Sequence, residues 1–228
     1  MFRRLKNKFM TVSAIIPAYN EEGWVGKTVQ ALHKLKEVKE VIVIDDGSTD
    51  NTFSEALDAG AIVYRIPVNK GKSRALREGV KLARGDFIAF VDADLKNTAV
   101  MFRELISCVL ADQADMAIAS FSSTKKAGLG LVKLLAYWGI LYHTGKKMTA
   151  PLSGQRVMKR FLWESINFYA EGFAAEVSLT IESLKKGFRI KEIPLNMKHR
   201  FRGNDYSAFL HRGEQFCDIL KFLFSAGP

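Results

Sequence analysis

The residues best placed to do chemistry fall in four short polar clusters, each following an apolar run. Asp92-Ala93-Asp94 closes the run Phe87-Ile88-Ala89-Phe90-Val91. Two carboxylates converging at the exit of a strand make a hard-oxygen site suited to Mg²⁺ or Mn²⁺. If the chain is still extended at Asp94, alternation turns Asp92 and Asp94 to the same side. Asp-x-Asp is a weak signal alone and gains force from the strand before it. Asp45-Asp46-Gly47-Ser48-Thr49-Asp50 follows the run that ends at Ile44. Crowded carboxylates are costly unless a donor or cation relieves them. Helix capping accounts for Ser48 and Asp50 and leaves Asp45 and Asp46 to a ligand.

Pro17-Ala18-Tyr19-Asn20-Glu21-Glu22 and Asn69-Lys70-Gly71-Lys72 are the other two clusters. In the first, Asn20 and the carboxylates can hydrogen-bond a base or ribose. They also fit a plain helix start with acids in its first turn. In the second, a glycine beside lysines at a helix start offers backbone N–H groups, a favourable dipole and mobile positive charge. That suits a diphosphate, although the glycine spacing is not that of a Walker loop. The plain alternative is a glycine-bearing loop with solvated lysines.

Positioning these clusters requires alternating strands and helices. Val12–Ile16, Glu40–Ile44, Ala61–Ile66, Phe87–Val91 and Asp115–Ala119 read as short buried strands. Glu22–Leu35, Asn51–Ala59, Lys72–Ala83 and Thr98–Leu110 read as helices between them. The fold class predicted is therefore α/β, a mostly parallel central sheet flanked by helices. Ligands of such sheets bind outside the carboxyl ends of the strands, where all four clusters fall. After residue 120 the alternation breaks. A helix over Lys125–His143, a loop Thr144–Gln155, a helix around Arg160–Asn167, a helix from Gly172 to Lys186, a strand Arg189–Met197 and a helix Tyr206–Phe224 are predicted. The organisation expected is one domain: a basic tail over 1–10, an alternating half over 11–120 and a second half over 121–228 that ends in an amphipathic helix.

With 228 residues and a net charge of +10, the chain suffices for one buried domain and draws anions. Nucleic acid is one such partner, but neither zinc-ligand spacing nor an RNA-binding aromatic motif is present. Cys108 and Cys217 stand far apart and read as two thiols of a reducing compartment. Met1–Met10 does not read as a signal peptide, and Leu129–Tyr142 is shorter than the roughly 20 residues of a membrane span. A cytoplasmic protein is expected.

Taken together and in this order, the four clusters resemble the family 2 glycosyltransferases. That resemblance implies a GT-A fold, a nucleotide-diphospho-sugar donor (a UDP-sugar first, a GDP-sugar second) and a Mg²⁺ or Mn²⁺ ion bridging the diphosphate. It implies that Pro17, Tyr19 and Glu21 line the nucleotide pocket and that Asp46 contacts the base. Lys72 would lie near the nucleotide or diphosphate, Asp94 would be the firmest metal ligand, and Asp92, with Ala93, would meet ribose or metal. Departure of a nucleoside diphosphate leaves charge that a divalent ion stabilises.

The second half carries Pro151-Leu152-Ser153-Gly154-Gln155-Arg156, Glu171-Gly172-Phe173-Ala174-Ala175-Glu176 and Lys198-His199-Arg200. This series resembles the branch containing glucosyl-3-phosphoglycerate synthases. Gln155 stands where that pattern has an acidic residue, and Gly172 lies four residues before Glu176 instead of three. The resemblance implies His199 as a third metal ligand and an acceptor site around Ser153, Gly154, Arg156 and Arg200. Glu176 is the general-base candidate for a hydroxyl acceptor, or else a surface carboxylate or a partner of Arg156. A phosphate acceptor wants cations instead. Leu131, Leu134, Leu135, Trp138 and Leu141, and Phe209, Phe216, Ile219, Leu220 and Phe224, are spaced as helix faces. Each stripe reads as core or dimer contact, or as a membrane-resting surface serving a polyprenyl phosphate, as in dolichol-phosphate mannose synthases.

Overall fold

Strand alternation sorts the apolar residues into two layers, one on each side of a single sheet. The structure, a computed structural model, describes residues 10–121, 130–166, 168, 172–197 and 206–225. The strands are β1 (Val12–Ala18), β2 (Val38–Asp46), β3 (Ile62–Ile66), β4 (Phe87–Phe90), β5 (Met116–Ser120), β6 (Arg156–Lys159) and β7 (Ile190–Pro194), in the order β3-β2-β1-β4-β6-β5-β7. The helices are α1 (Val25–Leu32), α2 (Thr52–Asp58), α3 (Lys72–Leu82), α4 (Phe102–Leu110), α5 (Gly130–Thr144), α6 (Arg160–Ser165), α7 (Ala175–Lys185) and α8 (Tyr206–Ser225).

Val41 and Val43 of β2 join one layer with Ala14 and Ile16 of β1, covered by α1, α2 and α4. Ile42 and Ile44 join the other with Ile15, covered by α3, α5 and α7. Each fully buried Val, Leu or Ile contributes about 1.5–3 kcal/mol, so the period of two also fixes which way every strand faces. The α3 layer lies very close to the sheet: a Cβ on Gly79 would stand 2.3 Å from Ile15 Cγ2. Only glycine allows that approach.

β1 pairs in parallel with β2 on one side and β4 on the other. The chain leaves β1 for β2 over one face and reaches β4 from β3, through α3, over the opposite face. That reversal opens a crevice at the carboxyl ends of β1 and β4, as in other doubly wound sheets.

β6 is an element the sequence reading missed. It runs antiparallel between β4 and β5. Four residues beginning with Arg and ending with Lys, and running straight into α6, carry too little pattern to mark a strand. Its direction matters for function. An antiparallel strand begins at the edge where its parallel neighbours end, so residues 153–155, just before β6, arrive beside the exit of β4.

A second correction concerns the exit of β4 itself. The strand stops at Phe90, and a 3-10 segment spans Ala93–Met101 before α4. Asp94 therefore sits in a helical turn, and strand alternation does not place it with Asp92. The helix predicted from Thr98 is the 3-10 segment continued by α4.

The exposed face of α5 differs from a core or buried stripe. Leu131, Leu134 and Trp138 are exposed, whereas Val132, Ala136, Gly139 and Ile140 pack inward. On α8, Ile219 is buried and Phe216 packs partly against the core, while Phe224 is exposed. The side chain of Phe209 lies outside the described residues. Among the described residues no helix is long and apolar enough to cross a membrane.

Candidate active site

The loops leaving β1 and β2 are stitched to each other before any ligand is considered. Asn20, at φ 53, donates its N–H to Ser48 Oγ at 3.0 Å and accepts from Thr49 N at 2.9 Å. The N–H of Glu21 donates to Thr52 Oγ1 at 2.7 Å. Glu21 is buried, Pro17 is half-buried and Tyr19 is exposed at the rim. All three lie at or just beyond the carboxyl end of β1.

The paired acids of β2 have partners within the protein. Asp45, fully buried, accepts from Ser48 N at 2.9 Å and from Arg65 Nε at 2.6 Å. Asp46, 3% exposed, accepts from the N–H groups of Lys70 and Gly71 at 2.8 and 2.7 Å. Donors at the start of α3 thus relieve the crowding that the sequence assigned to a ligand. The same two bonds spend the N–H groups expected to cradle a diphosphate, since a carboxylate is favourable at a helix N-terminus. Asp46 fixes the loop that launches Lys72.

Lys72, the first residue of α3, reaches across the crevice. Its ammonium lies 2.8 Å from Asp92 Oδ1 and 3.2 Å from Glu176 Oε1. Glu176 occupies the first turn of α7, where the helix dipole favours an acid. Burial opposes the charge on Lys72, but Asp92 and Glu176 outweigh it and hold its pKa above the ordinary lysine range. The two carboxylates are held together by the cation between them. Glu176 pairs with Lys72, not with Arg156.

Gly154 fits against this cluster because it has no side chain. A Cβ there would stand 2.5 Å from Lys72 Nζ and 3.3 Å from Asp92 Oδ1. Gln155, buried beside it, accepts from Asp92 N at 3.0 Å through Oε1 and donates to Asp92 Oδ2 through Nε2. Gln155 was noted in the sequence only as a departure from a pattern; here it holds both the backbone and the carboxylate of Asp92. Ser153 is buried, and its hydroxyl has no hydrogen-bond partner among the described residues.

Arg156 is 1% exposed and faces inward. It donates to Ser153 O at 2.8 Å, Thr180 Oγ1 at 2.9 Å and Pro151 O at 3.5 Å. Burial pulls its pKa down to about 10, against the nearby carboxylates of Glu176 and Glu192. Its guanidinium shapes the 151–153 loop from beneath. Glu192 of β7 holds the same loop from the other end, accepting from Thr149 N and Ala150 N at 2.9 and 2.6 Å.

Outside the crevice, an open groove of about 610 Å³ runs along α3, lined by Tyr64, Ile66, Lys70, Arg74, Arg77 and Lys81 among others. Arg74 and Lys81 share Glu78. Its excess of positive charge lies next to the start of α3 and favours anions near the crevice.

The Asp92–Asp94 segment offers hard oxygen donors. Among the described residues no group of three or more His, Cys, Asp or Glu could hold a metal. Mg²⁺ and its like are commonly held by one or two carboxylates plus substrate phosphates and water, so this donor set fits such an ion completed by a diphosphate. Asp92 is engaged by Lys72 and Gln155, and Asp94 lies two residues on, in the 3-10 segment. His199 and Arg200, the other predicted metal and acceptor residues, lie outside the described residues.

A mostly parallel sheet with acids, a lysine and a glycine gathered at the β1/β4 switch point defines an α/β protein of GT-A architecture. The model of glycosyl transferase family 2 matches residues 13–175, and the chain belongs to that family. It is 30% identical over 200 residues to a glucosyl-3-phosphoglycerate synthase of Mycolicibacterium paratuberculosis, covering 77% of this chain and 60% of that protein. The chain thus spans under two thirds of that synthase. An uncharacterised protein of Methanocaldococcus jannaschii is 29% identical over 224 residues, covering 93% of this chain and 89% of its own length. The crystal structure of glucosyl-3-phosphoglycerate synthase from Mycobacterium tuberculosis with Mn²⁺, UDP and phosphoglyceric acid superposes with a TM-score of 0.77 at 27% identity. That match covers 94% of this chain and 78% of the other. The same enzyme is also known with UDP-glucose and Mn²⁺.

Proposed function

We propose that this enzyme transfers a sugar from a UDP-sugar to a small phosphorylated acceptor bearing a hydroxyl, with Mg²⁺ or Mn²⁺ bound at Asp94. The observation that carries this reading is one ammonium, Lys72, joining Asp92 of the donor side to Glu176 of the acceptor side within 3.2 Å. The mycobacterial structures with UDP-glucose, Mn²⁺ and phosphoglyceric acid support the substrate classes.

Pro17, Tyr19 and Glu21 form the wall for the nucleotide, with Asp46 holding the Lys70–Gly71 turn behind it. Asp94 would hold the ion, joined by His199 and by Asp92 if it turns from Lys72. When bound, the ion stabilises the charge left on the departing diphosphate. Lys72 adds a fixed positive charge beside that oxygen's path and keeps Asp92 oriented. Glu176 is the carboxylate facing the acceptor and the candidate to take the hydroxyl proton. The bare backbone of Gly154 leaves room for the Lys72 ammonium beside Asp92, and Ser153 and Arg200 are the candidates to bind the acceptor.

The exposed face of α5 favours a second reading of the acceptor. Leu131 and Tyr142 are 74% and 75% exposed, with Leu134 and Trp138 between them and Lys133 alongside. Aromatic and leucine side chains beside lysine suit an anionic bilayer surface. The chain passes directly from α5 into the loop carrying Ser153 and Gly154, which would serve a polyprenyl phosphate held in that surface.

One product assay tests both. The enzyme with Mn²⁺ is given UDP-glucose or GDP-mannose, and either phosphoglycerate, glycerol 3-phosphate or polyprenyl phosphate in anionic vesicles. Sugar transfer from UDP-glucose to a small phosphorylated acceptor is expected. Transfer to the lipid alone would replace the first acceptor reading by the second, and use of GDP-mannose alone would overturn the donor assignment.

A further inference from the structure

Thr28 lies on α1, outside every cluster that carries the chemistry, and is fully buried. Its hydroxyl donates to Ala93 O at 2.7 Å and accepts from Lys96 N at 2.8 Å. A hydroxyl has one proton and two lone pairs, so both bonds form together; the carbonyl of Trp24, at 3.2 Å, is the more distant acceptor. The two bonds bracket Asp94, one on the residue before it and one two residues after.

The bracketed turn does not have a relaxed backbone. Lys96 adopts φ 49 and ψ −135, a conformation that residues with side chains rarely take. Its ammonium rests 3.4 Å over the Trp24 ring. Backbone and side chain of Lys96 are therefore both anchored near the start of α1. A β-branched threonine in a helix has few χ1 choices, so the direction of its hydroxyl follows from the position of α1. Val25, Val29 and Leu32 fix that position in the core.

We propose that Thr28 is a positioning residue for the cation site, its hydroxyl setting the 3-10 turn that aims Asp94 at the diphosphate. This rests on the metal-dependent reading above. Groups that orient a metal ligand from behind commonly change metal affinity when removed.

The test is calorimetry of UDP binding at graded Mn²⁺, with thermal unfolding measured alongside. Thr28→Val removes the hydroxyl at nearly constant shape, and Thr28→Ser keeps it. Thr28→Val is expected to raise the Mn²⁺ concentration for half-maximal UDP binding about tenfold, with Thr28→Ser restoring it to within about twofold of wild type. A lowered unfolding midpoint for Thr28→Val with an unchanged Mn²⁺ requirement would reduce Thr28 to a structural residue and overturn the inference. If Thr28→Val does not fold, Thr28→Ala is judged by the same criterion, and a Thr28→Ser protein whose Mn²⁺ requirement is raised about tenfold overturns the inference by itself. A wild-type protein whose UDP binding ignores Mn²⁺ would bring down the donor reading as well, so the two failures are told apart in the wild-type titration.

Discussion

Replacing Asp94 by alanine is expected to abolish sugar transfer, lowering kcat/KM by about 10³-fold or more, because the stabilisation a bound ion gives a departing phosphate is several kcal/mol and each 1.4 kcal/mol is tenfold. Asp94 is the acid of the 3-10 turn, while the other acid of the pair is engaged by Lys72 and Gln155. Neither Asp92 nor Glu176 can substitute for it without giving up the lysine between them. Donor turnover by Asp94→Ala, with circular dichroism to confirm the fold, checks this. An active Asp94→Ala enzyme would mean that the ion, if any, is held elsewhere.

Lys72→Met has the second-largest expected effect. It removes the ammonium that joins Asp92 to Glu176 among the described residues and leaves two carboxylates facing each other across the crevice. Loss of a fixed donor beside a developing anion costs about 10²–10³-fold in turnover. Stability should change little, by about 1 kcal/mol, because the Lys72 side chain is 38% exposed and solvent screens the pair. The lysine pKa is raised from its ordinary 10.5, so the pair contributes fully below 10.5 and is lost only as pH rises through the higher folded value. Between about pH 6 and 9 the wild-type profile should therefore show no limb from Lys72. Kinetics and unfolding midpoints on the same preparations separate the two effects. A large fall in the midpoint with normal turnover would make Lys72 a structural residue.

The strands and helices of the first 120 residues were legible because strands of a parallel sheet are apolar runs that end in polar turn residues; β3, expected to be buried, is instead an edge strand with Ile62 and Tyr64 exposed. Their common edge followed from topology alone, which is why Pro17, Asp46, Lys72 and Asp92 were found together without any contact being known. What could not be read were contacts that depend on direction and not on type. β6 is too short to show a period, yet its antiparallel course brings Gly154 and Gln155 to Asp92. The 3-10 turn at Asp94 has no sequence signature, since its unusual backbone at Lys96 falls on a residue that ordinarily avoids it. Thr28 looked like any threonine on a helix. Asp46 and Arg156 have the right chemistry for a ligand, and the structure adds contacts that the sequence did not show: Asp46 accepts from the start of α3 and Arg156 donates within a buried loop. Burial of a strand-edge acid or a loop arginine is not announced by its type.

The gathering of Asp92, Asp94 and Lys72 at one sheet edge predicts that a cation and a nucleoside diphosphate bind together. Calorimetric titration of UDP into the wild-type protein, with Mn²⁺ and again after EDTA, measures this directly. Binding with Mn²⁺ that EDTA abolishes is the predicted result. Equal UDP affinity in both titrations would contradict it.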